Sequence, residues 1–237
     1  MGSGEKRAMG VAIPTDGRSE LRWTAVLESA QAELAQKLAR SIAIGGFGHR
    51  PYLGWLGLES AACRLGVLSL DAVARWHGHQ VRLREAAKAW GSRLHALAQA
   101  AEGDAYALGG SPLAPQRALL QWQAFISMAA ASQRAGEVLG GALLQTHLSA
   151  GPVRPLLAAI ARLPDGLLAD RYVQRRLMDD VDVSDRDALL DAYAQSALAV
   201  GARRAAGWYA AALRPVLTHQ DAPIAAGAAP PQHESTP

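Results

Sequence analysis

Residues 52–111 read YLGWLGLESAACRLGVLSLDAVARWHGHQVRLREAAKAWGSRLHALAQAAEGDAYALGGS and contain no proline. A proline inside a helix removes a hydrogen bond and clashes with the preceding turn, at a cost of about 3 kcal/mol. Three more stretches, 15–50, 116–151 and 165–214, are equally free of it. Apolar residues recur three or four apart within these stretches, and no run of alternating β-branched residues interrupts them. The expectation is an all-α protein, with about seven helices in one bundle.

Composition supports that expectation. Of 237 residues, fifty are alanine, against two phenylalanines and five tyrosines. Such a chain favours closely packed helices over a β-sandwich. The net charge of +3 is too small for a strongly basic nucleic-acid surface. The single cysteine, Cys63, excludes an internal disulfide framework and a cysteine-based zinc site. No apolar run is long enough for a signal peptide or a membrane span. The expectation is therefore a soluble, bacterial-type cytoplasmic protein without nucleic-acid partners, with a homodimer left open. Residues 1–17 are expected to be flexible, 18–217 to form the helical domain, and 218–237 to be a disordered tail rich in Ala and Pro.

The spacing predicts helices over 19–43, 51–65, 69–101, 116–149, 152–163, 165–179 and 184–214. Leu27, Leu34, Leu38 and Ile42 form the stripe of the first, which ends at Gly45-Gly46. Pro51 opens the second and Gly66 stops it. The third carries Leu70, Val73, His77, Val81, Trp90, Leu94 and Leu97. The fourth carries Leu119, Trp122, Ile126, Gly136, Gly140, Leu143 and His147. Ser184-Asp185-Arg186-Asp187 has the look of a capping box at the start of the last.

Four sets of residues are candidates for chemistry. Gly136, Gly140 and Gly141 lie close together in a helix, where each glycine costs roughly 1 kcal/mol relative to alanine. A helix accepts that for a kink or for close approach of another surface, either a flat ligand or a second helix. Among the histidines, His77 and His79 point about 200° apart on a helix and cannot chelate one metal together. His77 reads as a core histidine, and His147 shares a stripe with the glycines. Of the helical carboxylates, Glu59 and Glu137 read as edge or salt-bridge residues, because the Glu-x-x-His pairs of a di-iron bundle are missing. Arg171, Arg175, Arg176, Arg203 and Arg204 form a basic set able to hold carboxylates or phosphates. There is no nucleophile elbow, phosphate loop, dinucleotide fingerprint or zinc-protease motif, so neither a nucleotide nor zinc is expected.

The order of features resembles the haem oxygenase-like helical fold, nearest to the bacterial haem oxygenases found alongside phytochromes. Glu20-Leu21-Arg22-Trp23-Thr24-Ala25-Val26-Leu27-Glu28 is similar to the family's opening helix. Arg50-Pro51-Tyr52-Leu53-Gly54-Trp55-Leu56 is similar to its second. Gly136 with Leu139-Gly140-Gly141 resembles the stretch over the distal haem face, and Gly201 to Tyr209 the closing helix. The resemblance covers about residues 18–215. It implies a haem or related planar ligand between the first and fourth helices, bound or oxidatively degraded there. Glu28 and Thr24 would then lie on the proximal side, with Glu28 toward the metal. Gly136, Gly140 and Gly141 would lie on the distal, catalytic side, with Arg203, Arg204, Tyr209 and His147 completing the cofactor contacts. Glu28 stands where the family has its iron-ligating histidine, and carboxylates are not among the usual haem ligands. Cofactor-free, thiaminase-like and di-iron proteins share this fold, so two alternatives stay open. One is a non-haem relative acting on a small organic molecule in a biosynthetic pathway; the other is a catalytically silent interaction protein.

Overall fold

The structure, a computed structural model, describes residues 22–45, 47–77, 79–110, 117–131, 134–148, 160, 169–178 and 189–218. It is all-α, with no strand among those residues. The main helices among the described residues are α1 (Trp23–Ala43), α2 (His49–Trp76), α3 (Val81–Ala107), α4 (Arg117–Ala131), α5 (Ala135–Leu148), α6 (Arg171–Met178) and α7 (Gln195–Thr218).

α1 buries Trp23, Val26, Leu34 and Leu38, with Leu27 and Ile42 half-buried beside them. It ends as expected: Gly45 takes φ 69° and returns its N–H to the Ile42 carbonyl. Residues 18–21, 46 and 219–237 lie outside the described residues, as do 1–17; Thr218 is still helical and closes α7.

Several boundaries differ from expectation, each for a tertiary reason. Gly66 does not stop α2, which runs on to Trp76. A Cβ on Gly66 would come within 2.5 Å of Leu94 Cδ1, so glycine there admits a side chain of α3. The chain turns instead at His77, and α3 begins at Val81. The short turn makes α2 and α3 an antiparallel pair. The helix expected over 116–149 is two, ending at Ala131 and restarting at Ala135, where Arg134 bonds Glu137 one turn on. The one expected over 184–214 is interrupted at Ala192–Ala194, and α7 starts at Gln195. Of the helix expected over 152–163 only Ile160 is described, and residues 184–187 lie outside the described residues.

α5 is the central helix. Eleven of its residues are buried, including Gln145 and Thr146. It packs on α7 and α2, with α1 across α5 and α7, α3 and α6 against each other, and α4 on α2 and α7. α5 and α7 cross at glycines. A Cβ on Gly140 would overlap the Leu198 carbonyl, and one on Gly201 the Glu137 carbonyl. Gly136 and Gly141 face Ala197 and Ala205. No described helix is long and apolar enough to cross a membrane.

Candidate functional site

Three helices bring polar side chains into the middle of this apolar bundle. On α2, Trp55, Glu59 and Cys63 are spaced four apart and share one face; all three are fully buried. On α6, Tyr172 and Arg176 share a face in the same way and are also buried. Tyr209 comes from α7.

The Glu59 carboxylate is the focus. Tyr172 Oη donates to its Oε2 and Tyr209 Oη to its Oε1. Trp55 Nε1 donates to Tyr209 Oη at 3.2 Å. Arg176 Nη2 lies 3.6 Å from Glu59 Oε2. The guanidinium also donates to Tyr172 Oη (2.8 Å), to the Thr146 carbonyl (2.6 Å) and to the Gln145 carbonyl (3.3 Å), and reaches Cys63 Sγ at 3.8 Å. The buried ion pair is thus enclosed by hydrogen bonds, the condition for holding charge away from water.

Second contacts fix α6. The buried Asp104 of α3 accepts the Tyr172 N–H at 2.8 Å, setting a carboxylate at the positive end of the short helix. Tyr52 Oη donates to the Ala169 carbonyl at 2.5 Å, just before α6.

Burial pushes the Tyr172 phenol well above its ordinary pKa, with Glu59 and Cys63 adding to the rise and Arg176 opposing it. Burial and Glu59 do the same to Tyr209. For Arg176 burial alone would lower the pKa; Tyr172, Cys63 and Glu59 outweigh it, and the net shift is upward. Burial raises Asp104, against the backbone N–H groups of Tyr172 and Arg171. Both phenols therefore stay protonated donors and the guanidinium stays charged near neutral pH.

Beside this network, Asp104 Oδ1 and the Gln145 carboxamide are left without a hydrogen-bond partner among the described residues. Gln145 is wholly buried, and neither Nε2 nor Oε1 of its carboxamide has a hydrogen-bond partner among the described residues. Its own carbonyl receives Arg176. A buried polar group left unmade costs about 1–3 kcal/mol and calls for a physical reason, such as strain, a functional role or an ordered water.

A groove opens nearby between α1, α5 and α7. It is lined by Leu34, Leu148, Ala206, Ala210 and Leu213, with the Glu33–Lys37 ion pair on α1 and Tyr209 among its walls. Its volume is about 280 Å³, open mouth included.

The residues expected to surround a planar cofactor are distributed differently. Glu28 and Thr24 are exposed on α1. Gly136, Gly140 and Gly141 are covered by α7, so their missing side chains admit a helix. Arg203 and Arg204 are exposed; Arg204 lies 3.5 Å from Glu137 and over the Phe125 ring. Glu137 is therefore the salt-bridge residue expected, held also by Arg134. His147 is wedged between Trp23 and Trp90, with Nδ1 near the Leu143 carbonyl. Trp23 Nε1 donates to the Gly140 carbonyl at 3.0 Å and Gln31 Nε2 to the His147 carbonyl at 2.7 Å, joining α1 directly to α5. This arrangement does not fit a haem held between Glu28 and the glycines. Among the described residues no three histidine, cysteine or carboxylate side chains gather to hold a metal ion.

Of the cofactor-contact residues, only Tyr209 reaches the Glu59 centre. Arg176 joins it from the basic set, while Arg171 and Arg175 stay exposed. The sequence predicts an edge or salt-bridge residue at Glu59, and it is the second, paired with Arg176 rather than at an edge; no local pattern singles out Tyr172, Gln145 or Asp104. The available signal was a lone carboxylate four residues after Trp55 and four before Cys63 in an otherwise apolar stretch. No protein-family profile, curated protein or solved structure matches the chain.

Proposed function

We propose that this protein binds a small organic molecule at the buried polar centre formed by Glu59, Arg176, Tyr172, Tyr209 and Gln145. The observation that carries this reading is the Gln145 carboxamide, buried without a partner among the described residues, on the residue whose backbone carbonyl receives Arg176. Glu59 supplies a hydrogen-bond acceptor, and Tyr172 and Tyr209 supply donors kept protonated by burial. The dry surroundings strengthen each of these interactions.

The test is thermal melting of the wild type and Gln145→Leu against a panel of small amines, alcohols, amides and carboxylates at millimolar concentration. A ligand at a hundred times its Kd contributes about 2.7 kcal/mol, or roughly 5–10 °C for a chain of this size. The expected result is such a rise for at least one chemical class in the wild type and its loss in Gln145→Leu. No rise with any member overturns the reading. Haemin added to the purified protein is expected to give no shifted Soret band. A stoichiometric shifted band would restore the haem expectation and overturn this one.

A further inference from the structure

We infer that the groove between α1, α5 and α7 is the mouth of this buried site, that Tyr209 is its gate, and that the ligand is a short aliphatic molecule ending in a hydrogen-bond donor. The inference rests on the small-molecule reading above and adds the route and the ligand class.

Tyr209 belongs to both places. It lines the groove, and its hydroxyl donates inward to Glu59. The side chain is only 2 % exposed and stands between the two. A rotamer change at this one residue opens the groove onto the carboxylate. On α5, Leu148 lines the groove and Gln145 lies three residues earlier, one turn along the same helix.

Chemistry narrows the occupant, which enters only once Tyr209 has swung aside, because the closed groove leaves room for little more than one water molecule. Its walls at Leu34, Leu148, Ala206, Ala210 and Leu213 are aliphatic. A ligand that takes the place of the Tyr209 hydroxyl meets Glu59, which as a carboxylate only accepts. Its head must therefore donate, as an ammonium or an alcohol does. The Arg176 donors are directed at Tyr172, Thr146 and Gln145, and Lys37 is paired with Glu33, so an anionic head finds no counter-charge there.

The experiment compares melting of the full chain with 1-hexylamine, 1-hexanol and hexanoate. The wild type is expected to rise about 3–6 °C with the amine and the alcohol at ten times their Kd, and not with hexanoate. Ala210→Trp and Ala206→Phe fill the groove from partly exposed positions, and each is expected to keep its own melting transition and lose the rise. Gln145→Leu is expected to lose it as well. If both groove variants keep the full rise while Gln145→Leu loses it, the route is wrong and the buried site stands. If the groove variants lose it and Gln145→Leu keeps it, the groove binds alone and the buried site falls. An equal rise with hexanoate overturns the donor-headed class, and no rise with any of the three overturns the inference.

Discussion

The Tyr193 hydroxyl and Nε2 of His77 share a hydrogen bond, tying the turn after α2 to the break before α7. Nδ1 is buried without a partner among the described residues. Burial, with help from His79, lowers the His77 pKa, and burial lifts the Tyr193 phenol to about 12. The unfolded chain therefore binds a proton at His77 more readily than the folded one. The His77 contribution to stability is full above the unfolded value of about 6.5 and is lost as pH falls from there through the lower folded value. Melting temperature measured from pH 7.5 to pH 5 is expected to fall more steeply for wild type than for His77→Gln. Parallel curves would show that the pair carries no pH dependence. The sequence predicts a hydrogen-bonded core histidine inside a helix; His77 is hydrogen-bonded, but it is half-buried and lies in the turn after α2. Its partner lies 116 positions away, and no local pattern reports that.

The elements show the same division. The stripes of α1 and α4 were legible because periodicity is a local property of the chain. Leu34, Leu38, Leu119, Trp122 and Ile126 are buried as their spacing requires. Glycines were ambiguous for a physical reason. A missing Cβ serves a stop, a ligand or a crossing helix equally well, and only the neighbour decides among them. Gly66 admits Leu94 and Gly140 admits α7. At the α5–α7 crossing there is no slack, because the opposing atoms are backbone carbonyls. Gly201→Ala is expected to destabilise the protein by upward of ~3 kcal/mol. Gly207→Ala, with open space around the new Cβ, is expected to be neutral or slightly stabilising through helix propensity. Urea denaturation of the two variants checks the contrast, and equal effects would count against the tight crossing.

For the molecule as a whole, the proposed binding role gives a reason for a buried carboxamide that bonds to nothing among the described residues. Gln145→Leu is therefore expected to raise the stability of the ligand-free protein by about 1–3 kcal/mol, read as a higher urea midpoint. Under the proposed function, the same variant is expected to lose the ligand. Stability gained with binding lost is the signature of a functional residue kept at a cost. A destabilised Gln145→Leu would instead make the amide part of the packing.

The sequence by itself determined that the chain is helical, and much of which face of each helix is apolar. Both follow from residues three or four apart and from where proline is absent, interactions that close within one turn. Tertiary structure decided where helices break, what the glycines admit, and that Glu59 meets Tyr172 and Tyr209 across separations of 113 and 150 residues. Those outcomes depend on which helix packs against which, and that choice is made by the summed burial of whole faces rather than by any short motif.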